Sequence, residues 1–376
     1  MPSVIVTGDF MRTGGMDMAN LALAEYLAQD DHVHVVGHRV APDLQARTNV
    51  HYHWVPKPMN SYLFAAPFLD RYGRRWASQI STYGGRVFAN GGSCSWEDVN
   101  WVHYVHAAYR PRVQGGALRK LKARCSHEVF LMYERKALMR ARLLITNSKS
   151  TKAKLVEHFG IGSDRIHTVY YGTDPNRFRP ATNDERAVTR TALGWPHERP
   201  VLVFTGALGD CRKGFDILFH SWRELCSRRD WDGHLVVIGT GSELPVWRRR
   251  AVKEGLSNRI DFLGFRHNVH EILPAADGLV SPARYEPYGL NVHEALCCGL
   301  PALVTHTAGV AEKYPSTLND LLLCDPPCSE QLTNKLLKWR EHLVMYRLAA
   351  SALSSCLRRR TWSDMASDVI QIVGSN

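Results

Sequence analysis

Residues 278–306 read GLVSPARYEPYGLNVHEALCCGLPALVTH. GLVSPA is a short apolar strand, RYEPYG a polar turn, and LNVHEALCCG a helix that stops at Gly299 ahead of Pro301. PALVTH then supplies a second strand. A strand, a helix and a strand in succession form one unit of a parallel sheet. Two glutamates, Glu286 and Glu294, flank the helix start, and Gly289 lies between them.

The same alternation runs outward in both directions. PVLVFTGAL, HLVVIGTG and RIDFLGF precede this unit, each a strand ending in small or polar residues. Earlier still come SVIVTG, HVHVVGH, RVFANGG, NWVHYVH and LLITNS, with helix-like runs between them. Residues 175–200 are polar and punctuated by proline, as expected of a linker. The 376 residues exceed one comfortable core. The pattern predicts an α/β chain of two doubly wound parallel-sheet domains, 1–180 and 181–354, facing a cleft. A C-terminal helix of about 355–376, with Trp362 and Ile370 on its apolar face, is expected to pack back on the first.

Composition narrows the classes. No run is long and apolar enough to span a membrane. The first residues form a strand rather than a signal segment, so a cytoplasmic chain is expected, its nine cysteines reduced and without paired metal-ligand spacing. A formal net charge of +11 favours anionic partners: phosphorylated small molecules, an acidic membrane surface or nucleic acid. No nucleic-acid recognition motif accompanies the charge. Arginines at 71, 74 and 75, and the basic run from Arg110 through Arg124, read as a solvated face or as a surface for an anionic acceptor or lipid head group.

Chemistry concentrates at strand ends. After VLVFTGAL, Arg212 and Lys213 stand before Gly214 and a helix, either as a solvated basic loop or as a seat for a phosphate or diphosphate beside a helix N-terminus. Glu294, leaning back along its helix, and Glu286, in the loop, read either as a capping and a solvated carboxylate or as acceptors of hydrogen bonds from sugar hydroxyls, with backbone amides near Gly289 taking phosphates. Gly239-Thr240-Gly241 is a partial dinucleotide fingerprint with Leu244 where the third glycine belongs. Gly14 and Gly15 follow the first strand, either as a tight turn or to let the chain approach a ligand. Of His103 and His106, at most one faces inward. The pairs His32/His34, His51/His53 and His267/His270 lack a third ligand nearby, and Asp230-Trp231-Asp232 sits in a turn, so no metal is expected.

Taken together, these residues resemble the retaining glycosyltransferases of family 4, which have the GT-B architecture. The stretch EPYGLNVHEALCCGLPALVTHTAGVAE looks like that family's paired-glutamate signature with its following strand and loop. FTGALGDCRKGFDIL, NSKSTKAKL, YYGTDPNRFRP and RTWSDMASDV match it in order and spacing. The resemblance implies that Arg212 and Lys213 bind the donor diphosphate, Glu294 the ribose and Glu286 the transferred sugar. The backbone at Tyr288, Gly289 and Leu290 would touch phosphate and sugar, and that near Arg266 the base. Gly15 would lie against the diphosphate and His106 near the sugar, although Ala107 stands where an acidic residue often follows that histidine. It further implies front-face transfer without metal or other cofactor. The donor would be a nucleotide-sugar, a UDP-sugar ahead of GDP-mannose. The acceptor would be a glycan or lipid-linked molecule of cell-envelope or exopolysaccharide synthesis, met at the inner face of the membrane. A nucleotide-sugar 2-epimerase or a phosphorylase of the same fold, and a basic nucleic-acid-binding protein, are the competing readings.

Overall fold

A computed structural model describes residues 1–113 and 116–375. Its contacts divide the chain into two units. One comprises Met1–Arg110, Ala117–Gly172 and Thr361–Asn376, the other Pro111–Gly116 and Thr173–Arg360.

The first unit is built on β1 (Ser3–Val6), β3 (Val33–Gly37), β5 (Val50–Trp54), β6 (Arg86–Asn90), β7 (Val99–Val102), β8 (Leu143–Thr146) and β9 (Ile166–Thr168). They form one parallel sheet in the order β5-β3-β1-β6-β7-β8-β9. A short ribbon of β2 (Asp9–Phe10) and β4 (Arg39–Val40) lies beside it. The helices are α1 (Gly15–Leu27), α2 (Pro42–Gln45), α3 (Tyr62–Thr82), α4 (Ala117–Arg140) and α5 (Lys149–Phe159). Strand order reverses between β1 and β6, and at such a switch point the loops beyond the strands' carboxyl ends part to leave a crevice.

The second unit repeats the design with β10 (Val201–Thr205), β11 (His234–Ile238), β12 (Ile260–Gly264), β13 (Gly278–Ser281), β14 (Ala302–Thr305) and β15 (Leu322–Leu323). Their order is β12-β11-β10-β13-β14-β15, all parallel, so the switch falls between β10 and β13. Around them lie α6 (Asn183–Leu193), α7 (Phe215–Cys226), α8 (Leu244–Lys253), α9 (Val269–Ile272), α10 (Leu290–Cys297), α11 (Ser329–Glu341) and α12 (Leu343–Leu357). Strands β10 and β13 are buried on both faces, which explains their unbroken apolar runs. Trp222 and Trp339 are fully buried in the core on one face, and Val292, Ala295 and Leu296 of α10 fill the other.

Two sequence expectations change. Residues 175–200 are not a linker. They hold α6, whose N-terminus is closed by a capping box between Thr182 and Glu185. Arg186 and Arg190 of α6 both reach Asp277 at 2.5 Å, tying the helix to the start of β13. Its polarity conceals an attachment made by charge rather than by apolar area. In the C-terminal helix α13 (Trp362–Ser375), which packs on α1, the buried stripe is Met365, Ala366, Val369 and Val373. Trp362 is half-buried against Tyr171, with ring centroids 5.7 Å apart, and Ile370 sits at the margin. The chain enters this helix from unit two at Thr361.

Candidate functional site

In the second unit, the loop after β10 (206–214) and the loop after β13 (282–289) flank the switch point. Gly214 ends the first with φ +72°, and a Cβ there would come within 1.8 Å of the Pro282 carbonyl oxygen. Only glycine lets the two loops approach this closely. They are laced together by Arg284, which forks onto Asp216 with bonds of 2.7 and 2.6 Å and donates to the Cys211 carbonyl at 2.7 Å. The Arg284 amide also donates to the Arg212 carbonyl, at 2.8 Å. Nothing in the local sequence marks Arg284. Its partners lie about seventy positions away.

This lacing brings Arg212, Lys213 and Glu286 together. The Lys213 ammonium is bonded to the Glu286 carboxylate, and the Arg212 guanidinium lies 3.9 Å from the same oxygen. Arg212 also donates to the Tyr285 carbonyl at 3.2 Å. The three side chains are only 15%, 19% and 9% exposed for Lys213, Arg212 and Glu286. Burial by itself would push the Glu286 carboxyl up, but Lys213 and Arg212 outweigh it and hold it below the ordinary carboxylate value. Burial lowers Lys213, and Glu286 opposes that shift. The result is an ion pair in a dry corner, where charge interactions are strong.

Gly289, at φ +98°, caps α10, and its amide donates to Glu286. Leu290 opens the helix there. The Tyr288 ring is buried, with its hydroxyl 3.0 Å from His293 Nδ1, so this residue offers the site its backbone alone. Glu294 follows one turn into α10. Its carboxyl makes no hydrogen bond or ion pair among the described residues, and burial pushes it up to about 8 despite the opposing charge of Arg177. Arg266 is exposed beyond β12, on the same edge of the sheet but two strands from β10.

A test of the Glu294 environment follows from linkage. Between its ordinary value of 4.5 and about 8, the folded chain holds a proton that the unfolded chain has lost. Stability therefore falls as pH rises through this window. Glu294→Gln removes the effect, so the melting temperature of the variant relative to wild type is expected to climb from about pH 5 to about pH 9. A difference independent of pH would show that the carboxyl is not held protonated.

The Gly239-Thr240-Gly241 motif has a packing role. A Cβ at 239 would lie 1.9 Å from the Gly206 carbonyl oxygen, and one at 241 would lie 2.2 Å from that of Leu208. These glycines let the loop after β11 press on the loop after β10. Asp230 and Asp232 are each forked by an arginine, Arg228 and Arg340. The paired histidines of the first unit are cross-strand neighbours, with His32 Nδ1 at 3.0 Å from His51 Nε2 and His34 Nδ1 at 2.8 Å from His53 Nε2.

In the first unit, Gly15 is the first residue of α1, after Gly14 at φ +83°. It stands at the carboxyl edge of the sheet beyond β1. His103 and His106 follow β7. His103 is buried, bonded through Nδ1 to the Tyr171 hydroxyl at 2.5 Å and pushed down to about 3 by burial, which makes it structural. His106 is the half-exposed one. Its partner is Glu134 of α4, a carboxylate with no exposed surface. Glu134 accepts from the His106 amide at 2.9 and 3.0 Å, from the Ala107 amide at 3.4 Å and from ring Nδ1 at 3.1 Å. With Nδ1 donating, Nε2 is left as the acceptor. The acidic partner missing at position 107 thus arrives from a helix, a contact that spacing along the chain could not reveal.

These two sheets and the anion-suited loops at a switch point define the GT-B class. Residues 199–342 match the model for glycosyl transferases group 1, and residues 13–177 that for glycosyltransferase family 4. The chain belongs to family 4 of the glycosyltransferases. It is 29% identical over 229 residues to the mannosylfructose-phosphate synthase of Agrobacterium fabrum, a match covering 58% of this chain and 50% of that protein. It is 30% identical over 223 residues to the D-inositol 3-phosphate glycosyltransferase of Corynebacterium jeikeium, covering 56% and 52%. The chain therefore spans about half the length of these curated relatives. In solved structures its fold is that of WaaG, a glycosyltransferase involved in lipopolysaccharide biosynthesis, with TM-score 0.76, 19% identity and full coverage of both chains. The fold is also that of Anabaena HepE in complex with UDP and glucose, with TM-score 0.75, 17% identity and full coverage of both.

Proposed function

We propose that this protein transfers a sugar from a nucleotide-sugar to a hydroxyl of a glycan or lipid-linked acceptor, with retention of anomeric configuration and without a metal. The observation that carries this reading is the buried meeting of Lys213, Arg212 and Glu286 at the switch point, beside the amino end of α10. Breaking a sugar–phosphate bond builds negative charge on the leaving diphosphate. Two preorganised cations and the exposed amides of α10 stabilise that charge most strongly in the transition state. Glu286 accepts hydrogen bonds from hydroxyls of the transferred sugar, and Glu294, unpartnered and one turn along, takes those of the ribose. The leaving phosphate oxygen receives the acceptor's proton on the same face, which gives retention without a covalent enzyme intermediate. His106, its ring fixed by Glu134, offers Nε2 to a substrate hydroxyl.

A UDP-sugar is the first candidate donor and GDP-mannose the second. Family membership supports the donor class, and the HepE complex with UDP and glucose is a precedent for uridine in this fold. The basic helices of the first unit favour an anionic acceptor, consistent with envelope or exopolysaccharide synthesis at the membrane's inner face. No helix among the described residues is long and apolar enough to cross a membrane.

The test is a thermal-shift series with UDP, GDP, ADP and their sugar conjugates. A ligand that binds the folded chain raises its melting temperature by mass action, about 2.7 kcal/mol at a hundredfold excess over Kd. A shift selective for one base, lost in Glu294→Ala, is the expected result. No shift with any nucleotide would overturn the transferase reading.

A further inference from the structure

The first unit carries a second feature, a basic groove whose ligand the proposed transfer leaves unspecified. Helices α3 and α4 line an open groove of about 850 Å³. From α3 come Arg71, Arg74 and Arg75, whose spacing places them on one helix face, and from α4 come Lys136 and Arg140, four residues apart. Trp96 and Tyr133 add aromatic surface to the lining.

Five cationic side chains line this groove against one carboxylate, that of Asp70. Asp70 is already engaged. It is buried, accepts from the Ser95 amide at 2.8 Å and from Arg74 Nε at 3.1 Å, and lies 3.7 Å from Lys136 Nζ. It thus holds two of the cations in place. Arg71, Arg75 and Arg140 have no hydrogen bond or ion pair among the described residues. The contrast within the same unit is sharp: Arg12, Arg39, Arg110 and Arg142 each pair with a carboxylate at hydrogen-bond distance. Like charges gathered without anions repel one another, and an anion entering the groove relieves that repulsion.

Along α4 the lining of the groove includes Tyr133, the residue before Glu134, and runs away from His106 to Arg140. Trp96 precedes β7 and Arg140 precedes β8, whereas His106 follows β7. None of its lining residues is among those assigned to the donor or to the His106–Glu134 pair.

We propose that the groove between α3 and α4 binds a phosphorylated ligand carrying at least two phosphoryl groups. Guanidinium forks match phosphate oxygens two at a time, and three unpaired arginines beside two anchored cations suit more than one phosphoryl group. Trp96 and Tyr133 give the ligand's organic part a surface to lie on. A free polyphosphorylated molecule and a phosphorylated lipid head group share this chemistry.

The experiment titrates tripolyphosphate into the full chain by calorimetry and, in parallel, sediments the chain with vesicles of phosphatidylcholine alone or mixed with cardiolipin, whose head group carries two phosphates. Wild type is compared with the Arg71→Glu/Arg75→Glu double variant, and with the milder Arg140→Gln. Arg71, Arg75 and Arg140 are solvent-exposed, so the fold is expected to persist, checked by an unchanged circular dichroism spectrum. Binding that weakens with added salt and falls at least about tenfold in the double variant is the expected result. Tripolyphosphate binding identifies a soluble ligand. Sedimentation with the anionic vesicles alone identifies a head group. Binding of neither probe by wild type, or equal binding by the double variant, overturns the proposal. The proposal stands apart from the donor site: the double variant keeps its response to nucleotides, and Lys213→Ala keeps the variant-sensitive binding, so either reading can fail alone.

Discussion

Lys213→Ala is expected to lower kcat/KM for sugar transfer by about a thousandfold, the scale seen when one preorganised charge-stabilising donor is removed. The ammonium is bonded to Glu286 in a corner where both side chains are largely shielded from water. Its loss acts twice. On the proposed reading the developing charge on the diphosphate loses one of its two cations, and Glu286 is left with Arg212 at 3.9 Å as its remaining counterion. Burial is then opposed by Arg212 and the Gly289 amide without Lys213, which moves the Glu286 carboxyl upward and weakens it as the proposed acceptor for sugar hydroxyls. Lys213→Arg separates the two effects. It restores charge but brings a planar fork in place of a compact ammonium, so partial recovery is expected. Steady-state turnover of the best nucleotide-sugar measures both variants. Activity of Lys213→Ala within about threefold of wild type would remove this residue from the transferring machinery.

The second large effect is expected at Glu134, which positions His106 rather than touching substrate. Glu134→Ala withdraws the acceptor from two backbone amides and from ring Nδ1 together. A kcat about a hundredfold lower is expected, with KM for the donor little changed, because the groups of the second unit proposed to bind the donor are untouched. A purely structural role would instead lower thermal stability and scale kcat with the folded fraction. Glu134→Gln discriminates. Its amide oxygen still accepts from the backbone while the charge that favours an Nδ1-protonated ring is gone, so the melting temperature is retained while kcat falls and the donor KM holds. A Gln variant with wild-type kcat would show that Glu134 only supports the backbone.

How legible the site was depended on whether its contacts are local. The strand–loop–helix unit of residues 278–306 announced itself because apolar runs, a positive-φ glycine and a helix stop all act within a few positions. Arg212, Lys213 and Gly214 were legible for the same reason: a short loop must end a strand and open a helix. The side-chain face of α6 was not. Its sequence is polar, and its attachment through Arg186 and Arg190 to Asp277 spans about ninety residues. The glycine pair at 239 and 241 resembled a cofactor fingerprint, yet its demand is steric and comes from carbonyls at Gly206 and Leu208.

The sequence by itself determined the alternation of strands and helices, the two-sheet design, the positions where carboxylates and cations meet backbone turns, and the family. Those follow from periodicity and backbone geometry, which act over one element at a time. Tertiary structure alone decided that Lys213 pairs with Glu286, that Arg284 and Asp216 lace the two loops, that Glu134 grips His106, and that arginines of α3 and α4 share a groove. Each of these joins side chains from separate elements. Burial and charge fix their partners only once the parallel strands have been placed side by side.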